Sequence, residues 1–311
     1  MIGKARIAIV GGGLMGHGIA QVFACAGHCV RVQDPSADVL ATLDERIRGN
    51  LRRLGLDVAA AARVSAHALL DDAVADAEVI FEAGPENLEL KQQLFAAIEA
   101  AAPTDALLAS NTSVIPITRI MMRLRQPARA LGTHWWNPPY LVPLVEVIRT
   151  PATASTAVAA MTDLLKAVGK MPVTVQKDVP GFIGNRLQHA LWREAMALVE
   201  QGVCSAEAVD TVVKASFGRR LAVLGPLENA DLVGTDLTLA IHETVLPDLD
   251  RTPGPLPVLR QLVADGKLGM KSGEGFRRWT PQQQVELRKR LFAHLQAFDS
   301  EGASHTKGSG P

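Results

Sequence analysis

Apolar residues over roughly the first 180 positions fall into short runs separated by stretches with a period of three to four. ARIAIV at 5–10 is β-branched and apolar, and it halts at three glycines. Leu14, Met15, Ile19, Ala20 and Phe23 follow at helical spacing, Gly27 interrupts them, and HCVRVQD at 28–34 makes a second strand-like run. Further runs fall near 78–82, 106–109, 129–133 and 143–148, with a weaker one, MPVTVQK, at 171–177. Strands alternating with helices predict an α/β fold with a Rossmann-like, doubly wound, mostly parallel sheet. From about Phe182 the pattern changes: Leu187, Leu191, Ala195, Leu198 and Val199 repeat every three or four residues, and no convincing strand follows. The expected organisation is an α/β domain over 1–182, an all-helical second domain over 183–298, and a small, polar, disordered tail over 299–311.

Composition narrows the picture. A chain of 311 residues exceeds the ~250–300 residues at which single cores stop growing, so two domains are expected. Thirty-two basic and 32 acidic residues give a net charge of zero, which argues against a nucleic-acid partner. No apolar run approaches the ~20 residues needed to span a bilayer, so no membrane partner is expected. Cys25, Cys29 and Cys204 make an odd set without framework spacing, and the N-terminus runs straight into a strand without a signal segment. Both features point to a cytoplasmic protein. Cys25 and Cys29 lack a second Cys/His pair, so no metal site is expected.

Two stretches carry chemistry. GGGLMG sets Gly11, Gly13 and Gly16 in G-x-G-x-x-G spacing, with Leu14 and Met15 inside the loop. It follows a strand, opens a helix, and is followed 18 residues after Gly16 by Asp34 at the end of VRVQD. Such glycines admit a pyrophosphate to the backbone, while the acid accepts ribose hydroxyls and repels a 2′-phosphate. The cofactor expected is therefore NAD. In LGTHWWNPPYLVPLVEV at 131–147, His134 sits just past a predicted strand and Glu146 lies twelve residues on. A His–carboxylate pair suits alcohol oxidation: the imidazole takes the hydroxyl proton and the carboxylate fixes its tautomer. SNTSV at 110–114 and DVPGFIGNRL at 178–187 offer Ser113 and Asn185, although both stretches also read as helix caps.

Seven ordered segments together resemble the 3-hydroxyacyl-CoA dehydrogenase family over roughly 5–280. They are GGGLMGHGIA, FEAGPENLELK, SNTSV, GTHWWNPPYLVPLVEV, DVPGFIGNRL, LGPLENADLVG and GMKSGEGF. The resemblance implies an NAD domain, a helical domain that supplies a homodimer interface, and a cleft between them. It implies His134 as general base with Glu146 as its partner, Ser113 bonding the substrate oxygen, and Asn185 near the carbonyl. Glu86, Lys91 and Asn111, with Ser113, match positions beside the nicotinamide half.

Departures from the pattern bear on substrate. The segment 38–66 contains no lysine, unlike the lysine-bearing hairpin of the acyl-CoA enzymes; its arginines (Arg46, Arg48, Arg52, Arg53) could meet phosphates or form a solvated helix face. The family's HFFNP becomes HWWNP, so Trp135 and Trp136 are candidate walls of a flat substrate pocket. Arg219 and Arg220 could pair a carboxylate. These changes resemble the family's non-thioester branches, which act on gulonate, carnitine or a pyridine carboxylate. A compact carboxylated substrate is expected, with a 3-hydroxyacyl-CoA as the alternative. A catalytically silent relative is the different-class alternative, and loss of His134 or Glu146 would have signalled it.

Overall fold

The computed structural model describes residues 4–297 in full and the backbone of the last helix to His305. The tail expected over 299–311 lies outside the fully described residues. Eight strands build one sheet: β1 (Arg6–Val10), β2 (Cys29–Gln33), β3 (Val64–His67), β4 (Val79–Glu82), β5 (Leu107–Ser110), β6 (Ala130–Trp135), β7 (Leu144–Ile148) and β8 (Met171–Val175). Their order is β3-β2-β1-β4-β5-β6-β7-β8. Every neighbouring pair is parallel except β6–β7. Around the sheet run α1 (Leu14–Cys25), α2 (Ala37–Ala41), α3 (Leu43–Leu54), α4 (Leu70–Val74), α5 (Leu88–Ala101), α6 (Ile117–Ile120) and α7 (Ser155–Ala167). The helices that follow are α8 (Gly184–Glu200), α9 (Ala206–Ala215), α10 (Pro226–Val233), α11 (Thr235–Val245), α12 (Pro257–Ala264) and α13 (Pro281–His305).

β3 is a strand that the apolar pattern does not reveal. Its sequence VSAH is short, it lies at the sheet edge, and none of its residues is buried, so it has no alternation to read. The central strands are the opposite case. Four of the five residues of β1 and all four of β4 are buried, as expected where helices cover both faces.

Alternation divides the core in two. Ile7, Ile9, Val30, Val32 and Phe81 pack with Phe23, Ile47 and Met161 on one face. Ala8, Val10, Ile80 and Leu108 pack with Phe95, Ile98 and Ile117 on the other. Each large apolar side chain so buried contributes roughly 1.5–3 kcal/mol. Helix ends follow local rules. α3 carries Asp44 and Glu45 in its first turn and Arg52 and Arg53 in its last, complementing its dipole, and it stops at Gly55 with φ 68°. α1 has no acidic residue in its first turn, so the chain leaves its positive end unneutralised.

The chain divides into two compact units. The first runs up to Arg186 and takes the chain back at Phe292; the second is Leu187–Leu291. Sequence placed the division at 182 and kept the last helix wholly in the second domain. The second unit is helical, with isolated bridges joining Glu274 to Gly269 and to Arg278. Among the described residues its only buried hydrophobic side chains are Ala197 and Leu256.

The start of α1 depends on one close approach. A Cβ at Gly16 would collide with the Gly11 carbonyl oxygen, which belongs to the backbone and cannot swing aside. Gly16→Ala is therefore expected to cost on the order of 1–3 kcal/mol and to lower the melting temperature in thermal denaturation. An unchanged melting temperature would mean that the loop opens freely.

Candidate active site

The antiparallel pair β6–β7 sets His134 directly opposite Glu146. Directly paired residues share a face, with Cβ atoms about 4.5–5.5 Å apart, and here His134 Nδ1 lies 2.6 Å from Glu146 Oε2. Both side chains are buried, at 4% and 1% exposure. His134 lies within β6 rather than past it, because the extended run continues through Trp135. The other carboxylate oxygen accepts the N–H groups of Ile183, at 2.8 Å, and Gly184, at 3.1 Å. These donors are aimed by Phe182, whose φ of 52° is left-handed. A bulky residue rarely adopts that conformation; here the ring is buried and packs 5.6 Å from the His134 ring. Burial pushes the Glu146 carboxyl up, but the hydrogen bonds from His134, Gly184 and Ile183 outweigh it and hold the group below its ordinary value. Glu146 is thus an anion at neutral pH.

The two tryptophans separate. Strand alternation turns Trp135 to the face opposite His134, where it is 2% exposed and packs against Phe23 and Phe81. Its expected place in a pocket wall is corrected: Trp135 is core. Trp136 stays with His134, at a ring separation of 5.0 Å. Its indole also covers Gly184, where any Cβ would strike it.

Beside the dyad, the SNTSV segment is a loop braced from below. It is not a helix cap, since α6 begins later, with Pro116 at its N-cap. Glu82 pairs with Ser110 across β4–β5. Its carboxylate accepts Lys91 Nζ at 2.7 Å, Ser110 Oγ at 2.7 Å and the Gly84 N–H at 2.8 Å. Lys91 and Glu82 are fully buried. Lys91 therefore acts from beneath the loop and does not present its amine to a ligand, unlike the expectation. Glu86 is itself exposed. It accepts the Thr112 hydroxyl and the N–H groups of Ser113 and Val114, the latter two at 3.2 Å. Ser113 is exposed, and its carbonyl accepts Asn185 Nδ2 at 2.7 Å. Buried Asn111 accepts the Trp135 N–H at 3.1 Å. Ser113, Asn185, Glu86 and Asn111 are thus joined to the dyad's surroundings through one hydrogen-bonded set.

The glycine loop fits a dinucleotide. Gly11 sits at φ 105° between β1 and α1, and a Cβ at Gly13 would meet nothing within 4 Å, leaving open the approach to the helix N-terminus. Asp34, at the end of β2, accepts the Gly12 N–H at 2.8 Å and the Ser36 N–H at 2.9 Å. Leu14 is exposed at the loop, whereas Met15 is half-buried against the core. Arg219 and Arg220 are exposed in a short turn of the second unit, with no ion pair among the described residues. Glu82 and Phe182 are residues beside the candidate site that the sequence did not single out. The acid of FEAGPEN and the glycine before Phe182 were the only signals.

Comparison with known proteins identifies the family. Residues 6–179 match the NAD-binding domain of 3-hydroxyacyl-CoA dehydrogenase, and residues 181–279 match its C-terminal domain. The 5-formyl-3-hydroxy-2-methylpyridine 4-carboxylate 5-dehydrogenase of Mesorhizobium japonicum is 36% identical over 93% of this chain and 96% of its own. The mitochondrial hydroxyacyl-coenzyme A dehydrogenase of Homo sapiens is 38% identical over 87% of this chain and 90% of its own. A crystal structure of a 5-formyl-3-hydroxy-2-methylpyridine 4-carboxylic acid 5-dehydrogenase, an NAD+-dependent dismutase, superposes with a TM-score of 0.88 at 34% identity. That match covers 94% of this chain and 96% of the other. The chain belongs to the 3-hydroxyacyl-CoA dehydrogenase family, whose members are NAD-dependent oxidoreductases acting on hydroxyl groups.

Proposed function

We propose that His134 and Glu146 form the catalytic dyad of an NAD-dependent dehydrogenase that oxidises a small carboxylated alcohol or hydrated aldehyde. The 2.6 Å contact between His134 Nδ1 and Glu146 Oε2 carries this reading. With Nδ1–H donated to the carboxylate, Nε2 holds the lone pair that accepts the hydroxyl proton, and the anionic Glu146 stabilises the imidazolium formed. Bound NAD supplies the hydride acceptor. Gly13, Gly16 and Asp34 would hold its pyrophosphate and ribose, while Glu86, Asn111 and Ser113 would flank the nicotinamide half. Ser113 and Asn185 orient the substrate oxygen. With an aldehyde, the same base activates water, and the resulting hydrate presents a hydroxyl for oxidation.

Three observations support a compact carboxylate. Trp136 sets a flat aromatic wall beside His134. Three of the four arginines of α3 are engaged within the fold: Arg48 pairs with Asp44 at 2.7 Å, Arg52 with Glu45 at 2.9 Å, and Arg46 bonds the glycine loop. The relative aligned over nearly its full length acts, by its name, on a pyridine carboxylate. The similarly identical hydroxyacyl-coenzyme A relative supports the thioester alternative. A homodimer through the helical domain also belongs to this reading. Leu237, Ile241 and Val245, exposed at 50%, 47% and 44%, repeat every four residues along α11, and a second copy would cover that stripe.

Turnover across 3-hydroxybutyryl-CoA, gulonate, carnitine and carboxylated pyridine alcohols and aldehydes, followed as NADH, should favour a small carboxylate; preference for the CoA thioester would overturn that choice. His134→Gln should lower kcat by about 10²–10⁴-fold while NADH binding persists, and full retained activity would remove the dyad from the mechanism. Glu146, with its carboxyl held low, adds stability above its unfolded pKa, and that stability is lost as pH falls through the folded value. Glu146→Gln should therefore flatten part of the acid-side loss of melting temperature. Light scattering should report a dimer that Ile241→Asp weakens; a wild-type monomer would exclude it.

A further inference from the structure

Arg46 behaves unlike the other arginines of α3. It turns inward to the glycine loop, where Nη2 donates to the Gly12 carbonyl at 2.9 Å and to the Val39 carbonyl at 2.9 Å. Nη1 lies 3.4 Å from the Gly13 carbonyl and 3.4 Å from His17 Nδ1. Its Nε is buried without a partner. The Gly13 carbonyl is further engaged by the backbone N–H of His17 at 3.2 Å and by His17 Nδ1 at 2.8 Å. Burial lowers the His17 pKa, the bond to Gly13 opposes this, and Arg46 lowers it further. The imidazole is therefore neutral at physiological pH, with Nδ1–H donated to Gly13.

These contacts all reach the loop from behind. The Gly12 carbonyl shares its peptide unit with the N–H of Gly13, and the Gly13 carbonyl shares its unit with the N–H of Leu14. Both N–H groups lie at the N-terminus of α1, where helical bonding leaves them unpaired and where anions bind. A cation on the carbonyl side fixes the orientation of each peptide and draws electron density away from its N–H, which strengthens that donor toward an anion. Asp34 holds the preceding N–H, that of Gly12, at 2.8 Å. Adjoining peptides of the loop are thus held from opposite ends by opposite charges.

We propose that Arg46 is a positioning residue for the dinucleotide, gripping the carbonyls of Gly12 and Gly13 so that the N–H groups of Gly13 and Leu14 meet the pyrophosphate. It touches the loop and not the reacting atoms, so it governs cofactor affinity and leaves the hydride and proton transfers alone.

The test is nucleotide binding in the full-length protein, which does not depend on turnover. Hydrogen bonds from charged donors are worth about 1.5–3 kcal/mol, so Arg46→Met should raise the Kd for NADH, followed by its fluorescence, about ten- to a hundredfold. ADP-ribose, measured by calorimetry, should weaken by the same factor, whereas adenosine, which lacks the pyrophosphate, should be unaffected. KM for NAD should rise while kcat at saturating NAD stays near wild type. Arg46→Lys keeps the charge without the fork and should recover part of the affinity, and it serves as the second variant if Arg46→Met fails to fold. Wild-type NADH affinity in Arg46→Met, or equal weakening of adenosine and ADP-ribose, would overturn the proposal. Absence of NADH binding by the wild-type protein would instead overturn the cofactor assignment itself.

Discussion

One reversal of chain direction governs the candidate site. In an otherwise parallel sheet, β6 and β7 run antiparallel, and only such a pair brings residues twelve apart directly face to face on adjacent strands. A parallel continuation would need a crossover of a dozen or more residues and could not juxtapose His134 and Glu146 so locally. The NPPYLVP turn therefore fixes the register in which His134 and Glu146 meet. The same register sends Trp135 to the opposite face, where it locks β6 onto the core beneath α1.

Burial sharpens the pair. A hydrogen bond gains strength in a low-dielectric interior, but an unmatched buried charge costs more there. Glu146 meets this condition with three donors, two of them backbone N–H groups presented by the left-handed Phe182. The strain at Phe182, of order 1–3 kcal/mol, is offset by the burial of its ring and by the neutralisation of a carboxylate. Backbone conformation, aromatic packing and electrostatics are inseparable at this turn.

Much of this was legible in the chain, and the boundary of legibility is physical. Central strands, the glycine loop and Asp34 could be read because they follow short-range rules: β-branched runs, fixed glycine spacing, an acid at a strand end. His134 and Glu146 could be named, but their facing geometry needed the strand register. What stayed hidden depends on three-dimensional partners. β3 is too short and exposed to leave a pattern. Trp135 and Trp136 are identical neighbours that only strand alternation separates. Arg46 shares a helix and a charge with Arg48 and Arg52, and nothing in their spacing tells which one folds back onto Gly12.

The Glu82–Lys91 pair beneath the Ser113 loop carries a consequence for descent. Both side chains are buried, and removing either strands a charge at a cost of about 3–5 kcal/mol, a large share of the ~5–15 kcal/mol by which a native domain is stable. Loss of the pair would have to pass through an intermediate close to unfolding, so single steps away from it are selected against. Trp136, half-buried beside His134, buries no charge and carries no such penalty. Lineages sharing this scaffold can thus exchange the aromatic beside His134 while the Glu82–Lys91 pair stays fixed. This is how relatives of near-equal identity could diverge in what they oxidise without abandoning how they oxidise it.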